Sequence, residues 1–203
     1  ILKTLTKETF TKNVVYVSDA GMPCVSDPGA TLVEFCIQNE IPYDVLPGAN
    51  AILTAYAMSG FAHTTFSFYG FLDHKGVSRA SKLDDILNDD KLSILYESPH
   101  RLLKLLEELS IKDANRTIFL AKEITKLHQN SYKDTSLNLF EKFKDINIRG
   151  EWVVIIEPKE TIGFNLDLDD ILSLDIAPKI KAKLIAKMTG QSIKDVYQKL
   201  LEN

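Results

Sequence analysis

Apolar residues are distributed along the chain in two distinct ways. Val14-Val15-Tyr16-Val17 is an unbroken apolar, β-branched run, the pattern of a strand covered on both faces of a parallel sheet. Residues 43–46, 65–71, 92–96, 117–121 and 152–156 read as further strands, the second of these being strongly aromatic. Between them the apolar period changes to that of a helix. Leu32, Val33, Cys36 and Ile37 make one stripe, with Asp27 placed to cap it and Pro28 at its first position. Leu102, Leu103, Leu105, Leu106 and Leu109 make a second stripe, and residues 51–59 and 137–143 also read as helices. Residues 2–12 are polar and helix-like, and residues 73–91 form a polar segment containing Arg79 and Lys82. Strand, loop, helix, repeated, predicts an α/β protein.

A change of texture near Thr64 divides the pattern into an α/β domain over residues 1–63 and a second α/β domain over 64–158. The remainder, 159–203, is helical and splits in charge. Glu160, Asp167, Asp169, Asp170 and Asp175 come first, followed by Lys179, Lys181, Lys183, Lys187, Lys194 and Lys199. Residues 179–188 and 192–201 read as two short helices around Thr189-Gly190-Gln191, similar to a helix-turn-helix.

Composition narrows the classes. Of 203 residues, 45% are hydrophobic, which excludes disorder, and nine Gly with seven Pro exclude collagen-like sequence. No apolar run reaches the ~20 residues of a membrane span. Cys24 and Cys36 fit neither a disulfide framework nor a zinc spacing, so a reducing, cytoplasmic setting is expected. A net charge of −4 argues against bulk affinity for nucleic acid but leaves room for a local basic patch.

The chemistry-bearing motifs of many enzymes are missing: there is no GxGxxG after a strand, no P-loop lysine, no HExxH and no CxxC. His63, His74, His100 and His128 lie too far apart for metal-ligand spacing, so no metal is expected. Two loops remain, 18–29 and 47–50, each following an expected parallel strand, where open α/β sheets bind ligands. Ala20, Gly21, Gly48, Ala49 and Ala51 would let a flat ligand approach bare backbone. Asp19 could accept hydrogen bonds from ribose hydroxyls. Structural turns would account for the same glycines, and Asp27 for a helix cap.

The residues themselves carry a resemblance. Val17-Ser18-Asp19-Ala20-Gly21-Met22-Pro23-Cys24-Val25-Ser26-Asp27-Pro28-Gly29 resembles a characteristic loop of the ribosomal RNA small subunit methyltransferase I family, within the tetrapyrrole (corrin/porphyrin) methylase-like superfamily. The likeness continues in order through Leu46-Pro47-Gly48-Ala49-Asn50-Ala51, Ala57-Met58-Ser59-Gly60-Phe61, Phe68-Tyr69-Gly70-Phe71-Leu72, Tyr96-Glu97-Ser98-Pro99-His100-Arg101-Leu102, Ala121-Lys122-Glu123-Ile124-Thr125-Lys126 and Arg149-Gly150-Glu151. It implies methyl transfer from S-adenosyl-L-methionine to the 2′-hydroxyl of a cytidine in 16S ribosomal RNA, two α/β domains with the cofactor between them, and a homodimer. Ser18, Asp19, Ala20, Gly21 and Met22 would line the cofactor, with Asn50 and Ala51 from the second loop. Tyr96, Glu97 and Gly150 would approach it from the second domain. Met22, Cys24, Asp73, Lys122 and Gln129 depart from the family pattern. A further front segment of about half an ordinary domain is expected to precede Ile1.

A ribose hydroxyl is a weak nucleophile, and a positioned base adds about 10²–10⁴-fold. Glu97, Lys122 and Glu123 follow strand ends and are the candidates, although Lys122 and Glu123 could equally pair with Arg101 or Lys126 as a rim salt bridge. Contact with 16S ribosomal RNA or the small ribosomal subunit is expected from Arg79, Lys82, His100, Arg101 and the lysine-rich tail through phosphate neutralisation. Two alternatives remain open here. One is a superfamily enzyme acting on a tetrapyrrole, against which Ser-Asp-Ala-Gly stands where such enzymes carry Gly-Gly-Asp-Pro. The other is a non-catalytic nucleic-acid-binding protein using the terminal helix pair.

Overall fold

A computed structural model of the chain describes residues 6–159 and 167–201. Its contacts divide the chain into a first unit, residues 1–159, and a second, residues 160–203. The division falls at 159/160 and not also at 63/64, because helix α2 (Ala51–Ser59) shares a core with the sheet that follows it.

The first unit is built on a five-stranded sheet in the order β1-β2-β5-β3-β4. Its strands are β1 (Phe66–Phe71), β2 (Leu92–Glu97), β3 (Thr117–Lys122), β4 (Asn130–Thr135) and β5 (Trp152–Ile156). β1, β2 and β3 run in one direction, with β4 and β5 opposed. The largely apolar sequences of β2, β3 and β5 suit the three central positions, where both faces are covered. The register aligns Glu97, Trp152, Lys122 and Asn130 in one row across four strands, with Tyr96 opposite Phe71 beside it. The C-terminal ends of β1, β2 and β3 therefore share one edge.

Helices α3 (Val77–Asn88), α4 (Pro99–Lys112) and α5 (Ser136–Phe143) cover one face. Leu102, Leu105, Leu106 and Leu109 of α4 fall at helical spacing and pack with Leu83, Ile86, Leu139 and Phe143 over Leu95, Leu120, Trp152 and Val154. Ile52, Ala55 and Phe61 cover the opposite face over Ile94, Phe119, Ala121, Val153 and Ile155.

Several expected elements take a different form. Residues 14–17 and 43–46 have no regular secondary structure and join no strand ladder among the described residues, and Val15 and Leu46 are 82% and 79% exposed. An apolar run becomes a strand only where a neighbour supplies its hydrogen bonds. Helix α1 (Ala30–Gln38) starts two residues beyond the expected Pro28, capped by Gly29 and not by Asp27. Gly29 holds φ +146°, and a Cβ there would lie 2.7 Å from Cys24 Sγ and 3.1 Å from the Tyr16 ring. Of the expected stripe on α1 only Cys36 is buried, and Ile37 faces solvent. α3 and β4 were hidden in polar sequence: β4 is a mostly exposed edge strand, and Arg79 occupies part of the buried stripe of α3. The described part of the expected helix over residues 2–12 holds a short 3-10 helix, Lys7–Thr11; residues 2–5 and Glu160 lie outside the described residues.

The second unit comprises α6 (Leu168–Ser173), α7 (Pro178–Thr189) and α8 (Ile193–Leu201). They enclose a small core of Ile171, Ala182, Ile185, Ala186 and Val196. Gly190 in the left-handed region turns α7 into α8, matching the expected pair. No described helix is long and apolar enough to cross a membrane.

Candidate active site at the sheet edge

The two loops meet. Gly21 adopts φ +77°, and a Cβ built on it would lie 3.5 Å from the Ala49 carbonyl oxygen. Ser18 Oγ donates to the carbonyls of Gly21 (2.8 Å) and Ala20 (3.3 Å), so this hydroxyl shapes the loop from within. The exposed carboxylate of Asp19 has no hydrogen bond or ion pair among the described residues. Asn50 Oδ1 accepts from the backbone N–H groups of Ile52 and Leu53, fixing the start of α2 and placing Ala51 in its first turn. Ala20, Gly48 and Ala49 add almost no side chain, and Met22 is half-buried.

This pair of loops lies against the shared strand edge. Val25, Ala51, Tyr96 and Ile124 pack on the same hydrophobic cluster. Ser26 Oγ would come 4.0 Å from a Cβ on Gly70, just before the end of β1. Burial raises the Tyr96 phenol above its ordinary pKa, and the negative charge of Asp27 adds to the shift.

Past the end of β3, Glu123 and Thr125 hold φ of +49° and +67°, left-handed conformations that side chains seldom adopt. Glu123 Oε1 accepts from the Glu151 N–H (2.8 Å) and from Lys126 Nζ (3.2 Å), while Oε2 has no partner among the described residues. Gly150, at φ +86°, makes room for this carboxylate: a Cβ there would lie 2.7 Å from Glu123 Cγ. The bare face of Gly150, expected to approach the cofactor, is thus turned toward Glu123. The Glu151 N–H, followed by the Lys126 ammonium, holds the Glu123 carboxyl below its ordinary pKa. Glu151 and Glu123 raise Lys126 in return. Of the rim pairings left open by the sequence, Glu123–Lys126 is the one formed. Lys122 sends its ammonium over the Trp152 ring, 5.7 Å from the centroid.

Glu97, expected as a catalytic and cofactor residue, lies elsewhere. It follows Tyr96 in β2 and so points to the opposite face, beneath α4, with its side chain 0% exposed. Its Oε1 accepts from the Ser98 N–H (2.8 Å) and forms an ion pair with Arg101 Nε (2.8 Å), which itself donates to Ser98 Oγ; Oε2 accepts no hydrogen bond and lies 4.0 Å from Arg79 Nη1. Arg79 and Arg101, expected to contact RNA, are committed to this cluster. Arg79 is buried, with its Nε and Nη2 donating to Glu108 and its Nη1 to the Asp73 carbonyl. Arg101 Nη1 donates to the Leu72 carbonyl. The two guanidiniums pin the segment leaving β1 against α4, which corrects their assignment as surface cations. Lys82 lies half-buried, 5.9 Å over the Tyr69 ring, and His100 is exposed. The i,i+4 spacing of Glu97 and Arg101 was the available signal for the pair; nothing local linked Arg79 to it. Lys126 and Glu151, absent from the expected site, join it through the β3–β5 pairing. No group of His, Cys, Asp and Glu able to hold a metal occurs among the described residues.

Comparisons with known proteins fit this geometry. The family profile of tetrapyrrole (corrin/porphyrin) methylases matches residues 1–139. A ribosomal RNA small subunit methyltransferase I of Campylobacter fetus subsp. fetus (strain 82-40) is 44% identical over 94% of this chain and 71% of its own length. One from Helicobacter pylori (strain ATCC 700392 / 26695) is 43% identical over 95% and 70%. Among solved structures, the cobalt precorrin-4 methyltransferase CbiF superposes with a TM-score of 0.52 at 15% identity, covering 68% of this chain and 61% of that one. At that identity the likeness speaks for the fold.

Proposed function

Because this chain belongs to the ribosomal RNA small subunit methyltransferase I family of tetrapyrrole methylases, we propose that it transfers a methyl group from S-adenosyl-L-methionine to the ribose 2′-hydroxyl of a cytidine in 16S ribosomal RNA. The observation that carries the reading is the convergence of residues 18–22 and 49–51, two stretches of mostly small residues, at the edge shared by three parallel strands. That surface suits an adenosine derivative. Its backbone is open to close approach, and Asp19 offers an uncommitted carboxylate for a ribose diol. Ser18, Ala20, Gly21, Met22, Asn50, Ala51 and Tyr96 would complete the cofactor's surroundings. When bound, the cofactor supplies an electrophilic sulfonium methyl group.

The protein's own work is then positioning and proton transfer. Holding the hydroxyl oxygen about 3–3.5 Å from its target supplies much of the rate. Glu123 is anchored through Oε1, which leaves Oε2 to accept the hydroxyl proton. Lys122, one residue away and stacked over Trp152, lends its positive charge to the Glu123 carboxylate. A homodimer acting in the cytoplasm, where ribosomal subunits reside, completes the proposal. Small ribosomal subunits lacking the modification, incubated with the protein and methyl-labelled cofactor, are expected to acquire label on the ribose of one cytidine, located by mass spectrometry of nuclease fragments. Label confined to a porphyrin-type acceptor, or to a base nitrogen, would overturn the reading.

A further inference from the structure

Helix α7 carries no acidic residue, and its outward surface is sorted into two parallel rows. Lys179, Lys183 and Lys187 recur every four residues, as do Ile180, Leu184 and Met188. The inward side, Ala182, Ile185 and Ala186, is used up in the core of the second unit. The apolar row is left 51%, 39% and 46% exposed, unusual for three large aliphatic side chains stacked along one helix. The three lysines take part in no hydrogen bond or ion pair among the described residues. Lys181 differs: it donates to the Leu172 carbonyl and so braces α7 against α6.

We propose that this face of α7 is a docking surface for a single strand of ribosomal RNA, a proposal that rests on the reading of the protein as an RNA-modifying enzyme. Charge complementarity selects the occupant. A residue repeat of four gives ammonium groups about 6 Å apart along the helix, the scale on which successive phosphates follow one another along a strand. The unpaired lysines neutralise those phosphates and release their counterions. The adjoining row lies a third of a turn away, where Ile180, Leu184 and Met188 meet riboses and base faces. Only unpaired nucleotides expose such apolar surface, which selects a single strand over a duplex. α8 and the turn at Gly190 act as the brace that presents α7.

The test compares the full chain with a Lys179→Gln/Lys183→Gln/Lys187→Gln variant, using a single-stranded oligoribonucleotide of 16S sequence and intact small subunits as probes. Losing three phosphate contacts should lower the salt slope of log affinity by about 2, at about 0.7 per single-strand contact. The corresponding triple arginine variant should keep the slope. The thermal midpoint and the turnover at saturating subunits should stay unchanged while KM rises. An unaltered slope and affinity would overturn the proposal. So would loss of binding to anionic phospholipid vesicles with RNA affinity intact, which would make the face a membrane contact. Self-association abolished by Leu184→Lys with RNA affinity intact would overturn it as well, by making the face a contact between copies. If the wild type methylates nothing, the functional reading fails while the oligoribonucleotide slope still decides on α7.

Discussion

Replacing Glu97 with alanine should destabilise the protein by about 3–5 kcal/mol, the range for removing one partner of a buried ion pair. The carboxylate sits wholly inside, shared between Arg101 at 2.8 Å and Arg79 at 4.0 Å. Without it two guanidiniums face each other near the Leu72 and Asp73 carbonyls, with only Glu108 left to balance them. Arg79 is too deeply buried to regain water without disturbing the α3–α4 contact. Natural domains hold about 5–15 kcal/mol in total, so the loss should appear as a large fall in the urea midpoint. Glu97→Gln keeps the shape and the Ser98 contact and should fall between the two. A Glu97→Ala protein of normal stability but without methyl transfer would return Glu97 to the reacting groups.

Glu123→Ala should lower turnover by about 10²–10⁴-fold, the range for a positioned general base, with affinity for the cofactor unchanged. The conservative variant separates the proton-accepting role from the structural one. Glu123→Gln retains an acceptor for the Glu151 N–H and fits the space left by Gly150, but its amide cannot take a proton. It should therefore fold as the wild type does and be equally slow. Recovery of most activity in Glu123→Gln would reassign the residue to holding the 123–129 loop. The pH dependence follows from the lowered carboxyl pKa. A group depressed in the folded state stays ionised from neutral pH down through the ordinary carboxylate range. Its contribution, both to turnover and to loop stability, is lost only as the pH falls through the depressed value. A falling limb in the pH–rate profile near neutrality would belong to some other group.

The inner strands of the sheet and helices α4 and α5 were legible because their residues answer to one force. In β2, β3 and β5, burial on both faces favours largely apolar sequence, and the leucines of α4 announce their period. Residues 14–17 read the same way and yet form no ladder, because a strand also needs a hydrogen-bonding neighbour that its own sequence does not specify. β4 escaped for the opposite reason: Asn130, Ser131 and Lys133 suit a solvated edge and are indistinguishable from a loop without the partner β3. The loops of the site were placed by their turn formers and by resemblance. Glu123 was visible as a residue just past a strand, but its environment comes from Gly150 and Glu151 across the β3–β5 pairing, a contact fixed by register. Arg79 was misjudged because arginine in a polar segment is ordinarily solvated. Only the fold brings it to Glu97 and Glu108.

An adenosine cofactor is expected to rest where residues 18–22 meet residues 49–51. Calorimetric titration of S-adenosylhomocysteine into the wild type and Asp19→Ala tests this most directly, since Asp19 has no partner among the described residues whose loss would disturb folding. A carboxylate hydrogen-bonded to a ribose diol contributes about 1.5–3 kcal/mol, so the variant should bind about ten- to a hundredfold more weakly. Equal affinity in the two proteins would put the nucleoside elsewhere and contradict the account.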